Sequence, residues 1–356
     1  MQRFGRAVVL AVVATVIYPR AGRGLCAQER VTLRSDILLY GDNTEFRNPF
    51  REGETLFGAA ARVYVDVRLG TAAVVSLGAF GNQRFGSEQA FDQVRPVIAL
   101  TIRGPRSTFV FGALPAMAPD RPMGPDRGGL HGLLPPLQRE TLAFERAYEP
   151  GLSWKFSGTR VQHTMWLAWQ RLNTEAHRER FDGGLEGRVS LNRSVALPFQ
   201  LHVVHEGGQQ FASGAVADSA AAALGLAFAR GIFSIEGYGV AAKSVPDRER
   251  PDLDRNGGAV FLRAAVERDG WRGHAILWRG RNFIKDEGDP NYASLQRDAH
   301  RYGGTRDYAE AGVARRFEVA PGAAVEVSGR VHRTERFYEY SYRVIAITAF
   351  TILRGK

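Results

Sequence analysis

Histidine is the side chain that general-base and triad chemistry uses most often. The chain offers His163, His202, His205, His274 and His332 for that role. None sits in a recognisable hydrolase motif, so the sequence predicts no catalytic residues and no enzyme. A membrane-embedded hydrolase is the weaker alternative. The segment 252–257, Asp-Leu-Asp-Arg-Asn-Gly, matches the start of a calcium loop. The position that should carry the bidentate glutamate is Arg263, whose cation would repel the metal. The plainer expectation is a β-turn at Asn256-Gly257. A second acidic stretch, Asp286, Glu287 and Asp289, has no recognised ligand spacing. No metal and no cofactor are predicted.

Cations offer a different chemistry. Arg62, Arg68, Arg95, Arg103, Lys155, Arg188, Arg263, Arg316 and Arg330 fall on the polar side of alternating segments. Rings of Arg or Lys inside a pore favour anions. Asp66, Glu186, Glu267, Glu310 and Glu326 share that side and temper the preference. The segment 113–140 is rich in Pro and Gly and carries two Asp-Arg dipeptides, Asp120-Arg121 and Asp126-Arg127. Long loops without regular structure are often functional. These four residues are candidates for a constriction, and an external flap is the bland reading of the same segment.

The elements that must position these groups are strands. In 62–69, Arg62, Tyr64, Asp66 and Arg68 alternate with Val63, Val65, Val67 and Leu69. Successive strand residues point to opposite faces, so one face meets water and the other an apolar medium. The pattern recurs at 93–103, 152–157, 185–192, 260–267 and 325–332. Connections alternate short and long, as outer-membrane barrels require. Strand lengths also suit a membrane crossing, which takes about nine to eleven residues. The fold class predicted is all-β, a transmembrane antiparallel β-barrel of about sixteen strands, with fourteen as the alternative. The strands are expected at 31–40, 54–69, 71–80, 92–103, 106–112, 141–157, 160–171, 181–193, 198–205, 220–229, 232–243, 257–268, 271–279, 305–318, 323–332 and 338–353. The merged segment 141–157 is given a bulge near Pro150-Gly151. Trp166, Trp169, Trp271 and Trp278 are expected in interfacial belts.

Residues 1–27 have the layout of a cleavable signal peptide: basic start, apolar run 7–18 and a small-residue end at Ala27. The barrel domain is then 28–356. The single cysteine, Cys26, falls within the signal, so no disulfide staples are expected. The chain carries 47 Lys+Arg against 37 Asp+Glu, and removing the four arginines of the signal leaves +6. Those cations are dispersed and the chain is exported, which argues against nucleic acid as a partner. Beyond the signal, no apolar run is long enough for a membrane helix.

The mature chain resembles the porin-type outer-membrane barrels. The likeness is architectural and is carried by the hairpin rhythm and the last strand. There Tyr338, Tyr340, Tyr342, Val344, Ala346, Thr348, Phe350 and Ile352 share one face. The resemblance implies an outer-membrane location and a porin-like channel for small solutes, with anion preference open. It implies outer-membrane lipid and the barrel-assembly machinery as partners. A non-conducting structural or partner-binding barrel is the alternative. The sequence assigns no oligomeric state, and no function to the loops 41–53, 113–140 and 280–304.

Overall fold

Strict alternation at 62–69 sits inside a strand of sixteen residues, Glu54–Leu69. Its apolar members Phe57 and Val63 face outward, while Leu56 and Ala60 are buried inside. The computed structural model describes residues 31–114, 129–208, 210, 211, 214–295 and 304–354. Sixteen antiparallel strands close on themselves. They are β1 (Val31–Glu45), β2 (Glu54–Leu69), β3 (Ala73–Arg84), β4 (Gln93–Arg103), β5 (Ser107–Ala113), β6 (Pro150–Ser157), β7 (Val161–Arg171) and β8 (Glu179–Ser190). The second half comprises β9 (Val195–Gly207), β10 (Ala217–Arg230), β11 (Phe233–Val245), β12 (Arg255–Arg268), β13 (Trp271–Arg281), β14 (Thr305–Ala320), β15 (Ala323–Thr334) and β16 (Phe337–Arg354). Each strand pairs with its neighbours in sequence, and β1 pairs with β16 to close the ring. Closure leaves no unpaired edge, which a lipid environment demands. Among the described residues, no helix is long and apolar enough to cross a membrane.

The sequence places sixteen strands close to these bounds, but 141–157 is a correction. Residues Leu142–Glu145 form a short helix, α1, and β6 begins only at Pro150. The apolar residues 142–144 are buried inside the barrel instead of facing lipid. Gly112 and Gly151 are opposite each other where this segment leaves and rejoins the wall. A Cβ on Gly112 would collide with the Ile98 carbonyl, and one on Gly151 with that of Leu167. Glycine therefore lets the segment turn inward there.

The lumen is filled. Leu133, Leu134 and Leu137 pack against wall residues Trp166, Tyr238, Phe261, Ile276 and Trp278. Phe283 and Tyr292, from the β13–β14 connection, join the same cluster. A second cluster packs Leu130, Ala143 and Phe144 against Leu38, Tyr40, Phe80 and Ile345. Backbone bonds tie the two inserted segments together: Arg139 donates to Glu287 at 2.6 Å, and Asp289 to Pro135 at 2.9 Å. Residues 129–149 and 282–295 together form a folded plug. Trp166 and Trp278 face this plug and are almost fully buried, so they are not belt residues. Trp169 and Trp271 are exposed, as belt residues would be.

Candidate functional site

The plug meets the wall at β7, β8 and β9, and polar groups concentrate there. His131, near the start of the plug, stacks on Trp166, ring centroids 3.9 Å apart. Its Nε2 lies 2.8 Å from Glu149 Oε2, close but off the hydrogen-bond axis. Glu149 is fixed at the other end of the plug, where its carbonyl accepts from Leu114 N at 2.8 Å. Both Glu149 side-chain oxygens and Asp182 Oδ1 are buried without a hydrogen-bond partner among the described residues. Asp182, on β8, uses its other oxygen: Oδ2 lies 3.2 Å from His202 Nε2 and accepts from Gln138 Nε2 at 3.4 Å. His202 Nδ1 in turn lies 3.0 Å from the Leu137 carbonyl. Buried polar groups normally find partners, so these oxygens are acceptors that a water or a ligand donor can satisfy.

Cations frame these acids. Arg146 Nη2 donates to Glu287 Oε2 at 2.8 Å and lies 3.8 Å from Asp182 Oδ2. Burial opposes the Arg146 charge, but Glu287, Asp182 and Glu149 together hold its pKa above the ordinary value. Its Nε and Nη1 have no acceptor among the described residues. Arg180 and Gln170 also donate to Glu287, each at 3.1 Å. Burial pushes the Lys285 amine down to about 8, against the pull of Glu287 and Asp286. Two ligand sets converge here, each within 4.8 Å: His131, Glu149 and Asp182, and Asp182, His202 and Glu287. Nitrogen plus carboxylate donors of this kind suit a divalent cation. The second set already has Arg146 and Arg180 on Glu287; the first has the open oxygens.

A second polar cluster lies across β13, β14, β15, β16 and β1. His274 Nε2 is 2.8 Å from Glu310 Oε1, and the Tyr308 hydroxyl donates to Glu310 Oε2 at 2.6 Å. That hydroxyl is 2.7 Å from His332 Nδ1, and His332 Nε2 is 2.8 Å from Ser341 Oγ. Ser341, His332 and Glu310 thus line up in the order of a hydrolytic triad. However, Tyr308 shares the His–Glu edge, where His332 Nδ1 also lies 3.3 Å from Glu310 Oε2, and all three side chains are buried. Their arrangement braces the wall. Arg330 and Arg343 both reach Glu140 of the plug, at 3.0 and 3.1 Å. Arg343 also donates to Asp42 at 2.8 Å. Burial raises the Glu140 carboxyl despite the two arginines, and Glu310 and Asp42 raise it further.

The sequence-predicted residues are dispersed. Asp120, Arg121, Asp126 and Arg127 lie outside the described residues. Arg62 donates to the Leu114 carbonyl at 2.7 Å, Arg263 pairs with Glu236 at 2.6 Å, and Arg330 joins the Glu140 network. Arg95 lies within electrostatic reach of Tyr148 in the plug. Arg188 stands on β8, within electrostatic reach of Glu236. Arg68 and Arg103 share a separate cavity. At 252–257 the expected turn is corrected: Asn256 and Gly257 pair within β12, opposite Lys243 and Ala242. The chain reverses earlier, through the 3-10 turn Pro251–Leu253, where Arg250 clamps Asp252 at 2.9 Å. His202 and Glu287 are the residues of the first cluster that the sequence reading names; His131, Glu149 and Asp182 are not among its candidates. The available signal was the leucine series 130, 133, 134 and 137, an apolar run in a Pro/Gly loop that has to be buried.

The fold and its contents define an outer-membrane β-barrel with a plugged lumen that carries a histidine–carboxylate site. A family model described as lipid A 3'-O-deacylase-type matches residues 25–350, and the chain belongs to that family. The expectation of a non-enzyme is thereby corrected, because the family is named for an ester-cleaving activity. The correction has a structural reason: the polar groups converge through a re-entrant loop, so no linear motif records them. Among curated proteins, none matches the chain significantly. Solved structures resemble it in fold. OmpT of Vibrio cholerae with loop L8 deleted has TM-score 0.57 and 10% identity over 90% of this chain and 99% of that one. Outer-membrane expressed OmpT of Vibrio cholerae has TM-score 0.55 and 11% identity over 92% and 100%. OccD3 of Pseudomonas aeruginosa has TM-score 0.50 and 11% identity over 96% of each chain.

Proposed function

We propose that this barrel hydrolyses an ester-linked acyl chain of a lipid A-type glycolipid. The observation that carries the reading is the His131–Glu149 pair, 2.8 Å apart, beside open carboxylate oxygens and unused Arg146 donors. Family membership supplies the substrate class. In this reading the Glu149 charge, 2.8 Å from His131 Nε2, favours the proton on that nitrogen, which leaves Nδ1 to take a proton from water. The water oxygen attacks the acyl carbonyl, and Arg146 Nε and Nη1 supply donors for the charge that develops on its oxygen. The C–O ester bond breaks, the proton passes from His131 to the leaving sugar oxygen, and the products are a fatty acid and a free hydroxyl. The plug belongs to the long-loop end of the barrel, which faces the outer leaflet in the usual orientation. Export through cleavage after residue 27 completes the scheme. The test is mass spectrometry of lipid A from membranes with and without the protein. Loss of the mass of one hydroxy-acyl or acyl chain supports the reading, and an unchanged profile opposes it.

A solute channel is the function the sequence favours, with 113–140 as its constriction. Packing of residues 129–149 and 282–295 across the lumen weighs against free passage. Conductance in planar bilayers separates the two: an open pore of sixteen strands passes a large steady current, a plugged barrel does not.

A further inference from the structure

At the opposite end of the lumen, where the chain ends and the short turns lie, a cavity of 250 Å³ opens below the plug. Arg34, Arg68 and Arg103 line it, with Thr32 and Thr351 hydroxyls and one acid, Asp66. That acid is already engaged: Oδ2 lies 3.0 Å from Arg34 Nε, and Oδ1 accepts from Ser76 Oγ at 2.6 Å. Among the described residues, Arg68 and Arg103 have no carboxylate partner. The cavity therefore holds three guanidiniums against one carboxylate.

The excess positive charge continues along the wall. Arg103 is opposite Thr108 on β5, and Thr108 is opposite Lys155 on β6. Directly opposed residues share a face, so Lys155 stands in the same row on the lumen side. Across the lumen, cations at this end are paired within the wall: Arg263 with Glu236 at 2.6 Å, Arg272 with Glu267 at 3.0 Å, and Arg316 with Glu318 at 2.6 Å. Charge is thus balanced on β11–β15 and unbalanced on β2–β6. Simple solubility of a lumen wall would need no such segregation, since dispersed pairs serve it equally well.

We infer that this cavity is a binding site for a phosphate-bearing anion that enters from the turn end. A doubly charged phosphate matches the excess of two cations, and guanidiniums bind its oxygens in bidentate fashion. Threonine hydroxyls complete the donor set. This site is independent of the hydrolytic one, which lies at the other end of the plug.

Titration calorimetry of the purified full-length barrel in zwitterionic detergent tests it, with inorganic phosphate in one arm and a short-chain phosphatidic acid in the other. The expected result is saturable binding that weakens at least tenfold in Arg68→Gln/Arg103→Gln and falls with added salt. Arg316→Gln, on the paired wall, should leave affinity unchanged. Heat-modifiable gel migration establishes that each variant is folded. Binding of phosphatidic acid alone supports the site and names a lipid headgroup as the source. No saturable binding of either probe, or equal affinity in the double variant, overturns the inference.

Discussion

Glu140 Oε2 lies 3.0 Å from Arg330 Nη1, although 190 residues separate the two in sequence. The first belongs to the plug and the second to β15, so one buried ion pair ties the inserted segment to the wall. Arg343 of β16 makes a second tie to the same carboxylate at 3.1 Å. Removing one member of a buried pair strands the other charge, which costs about 3–5 kcal/mol. Arg330→Met should therefore destabilise the barrel by about that amount in urea unfolding from lipid vesicles. Glu140→Gln/Arg330→Met should recover part of the loss. A single variant within about 0.5 kcal/mol of wild type would show that the tie does not hold the plug.

The wall makes a contrasting prediction. Val63 faces outward and is 45% exposed, while its neighbour Arg62 turns inward and bonds to the Leu114 carbonyl. Val63→Arg should cost about 2–4 kcal/mol if it lies near the bilayer midplane. Arg62→Lys, which keeps an inward cation, should cost less than about 1 kcal/mol by loss of one hydrogen bond. Equal damage would mean that the faces are reversed.

Lys285 predicts a pH dependence. Burial lowers its amine to about 8 from the ordinary lysine value of 10.5. The unfolded chain binds the proton more tightly, so the charged amine destabilises the fold fully below about pH 8. That penalty is relieved as pH rises from the folded value toward the unfolded one. Converted at 1.36 kcal/mol per unit, the relief is about 3 kcal/mol. Stability of wild type minus that of Lys285→Met should therefore rise between pH 8 and 10.5. A flat difference across that window would show that the amine titrates normally.

The wall was legible in the sequence because alternation is a local property. β2 coincides with the expected 54–69, and Tyr338, Tyr340 and Tyr342, read as sharing one face, do share one, the outward face. The plug was not legible, because its apolar residues lack the strand period, and Gly132, Pro135 and Pro136 break up the helical spacing of Leu130, Leu133, Leu134 and Leu137. Leu142 to Phe144 look like strand residues for a lipid face, yet they pack on the inside. Trp166 and Trp278 misled for the same reason: an inward aromatic opposite a plug and an outward one in a belt have the same local sequence. The candidate site was hidden further. His131, Glu149 and Asp182 come from the two ends of a re-entrant loop and from β8, and only the fold brings them within 4.8 Å.

Cleavage of an acyl ester by His131 and Glu149 inside this barrel is tested most directly by release of free fatty acid from purified lipid A. The folded wild-type protein is compared with His131→Ala and Glu149→Gln. Wild type should give measurable release, and His131→Ala should lose about 10²–10⁴-fold in kcat. Glu149→Gln should show a smaller loss and an altered pH profile, since the carboxylate positions the ring. Heat-modifiable migration should remain normal in both variants. Undiminished release by His131→Ala, or none by the folded wild-type protein, would contradict the assignment.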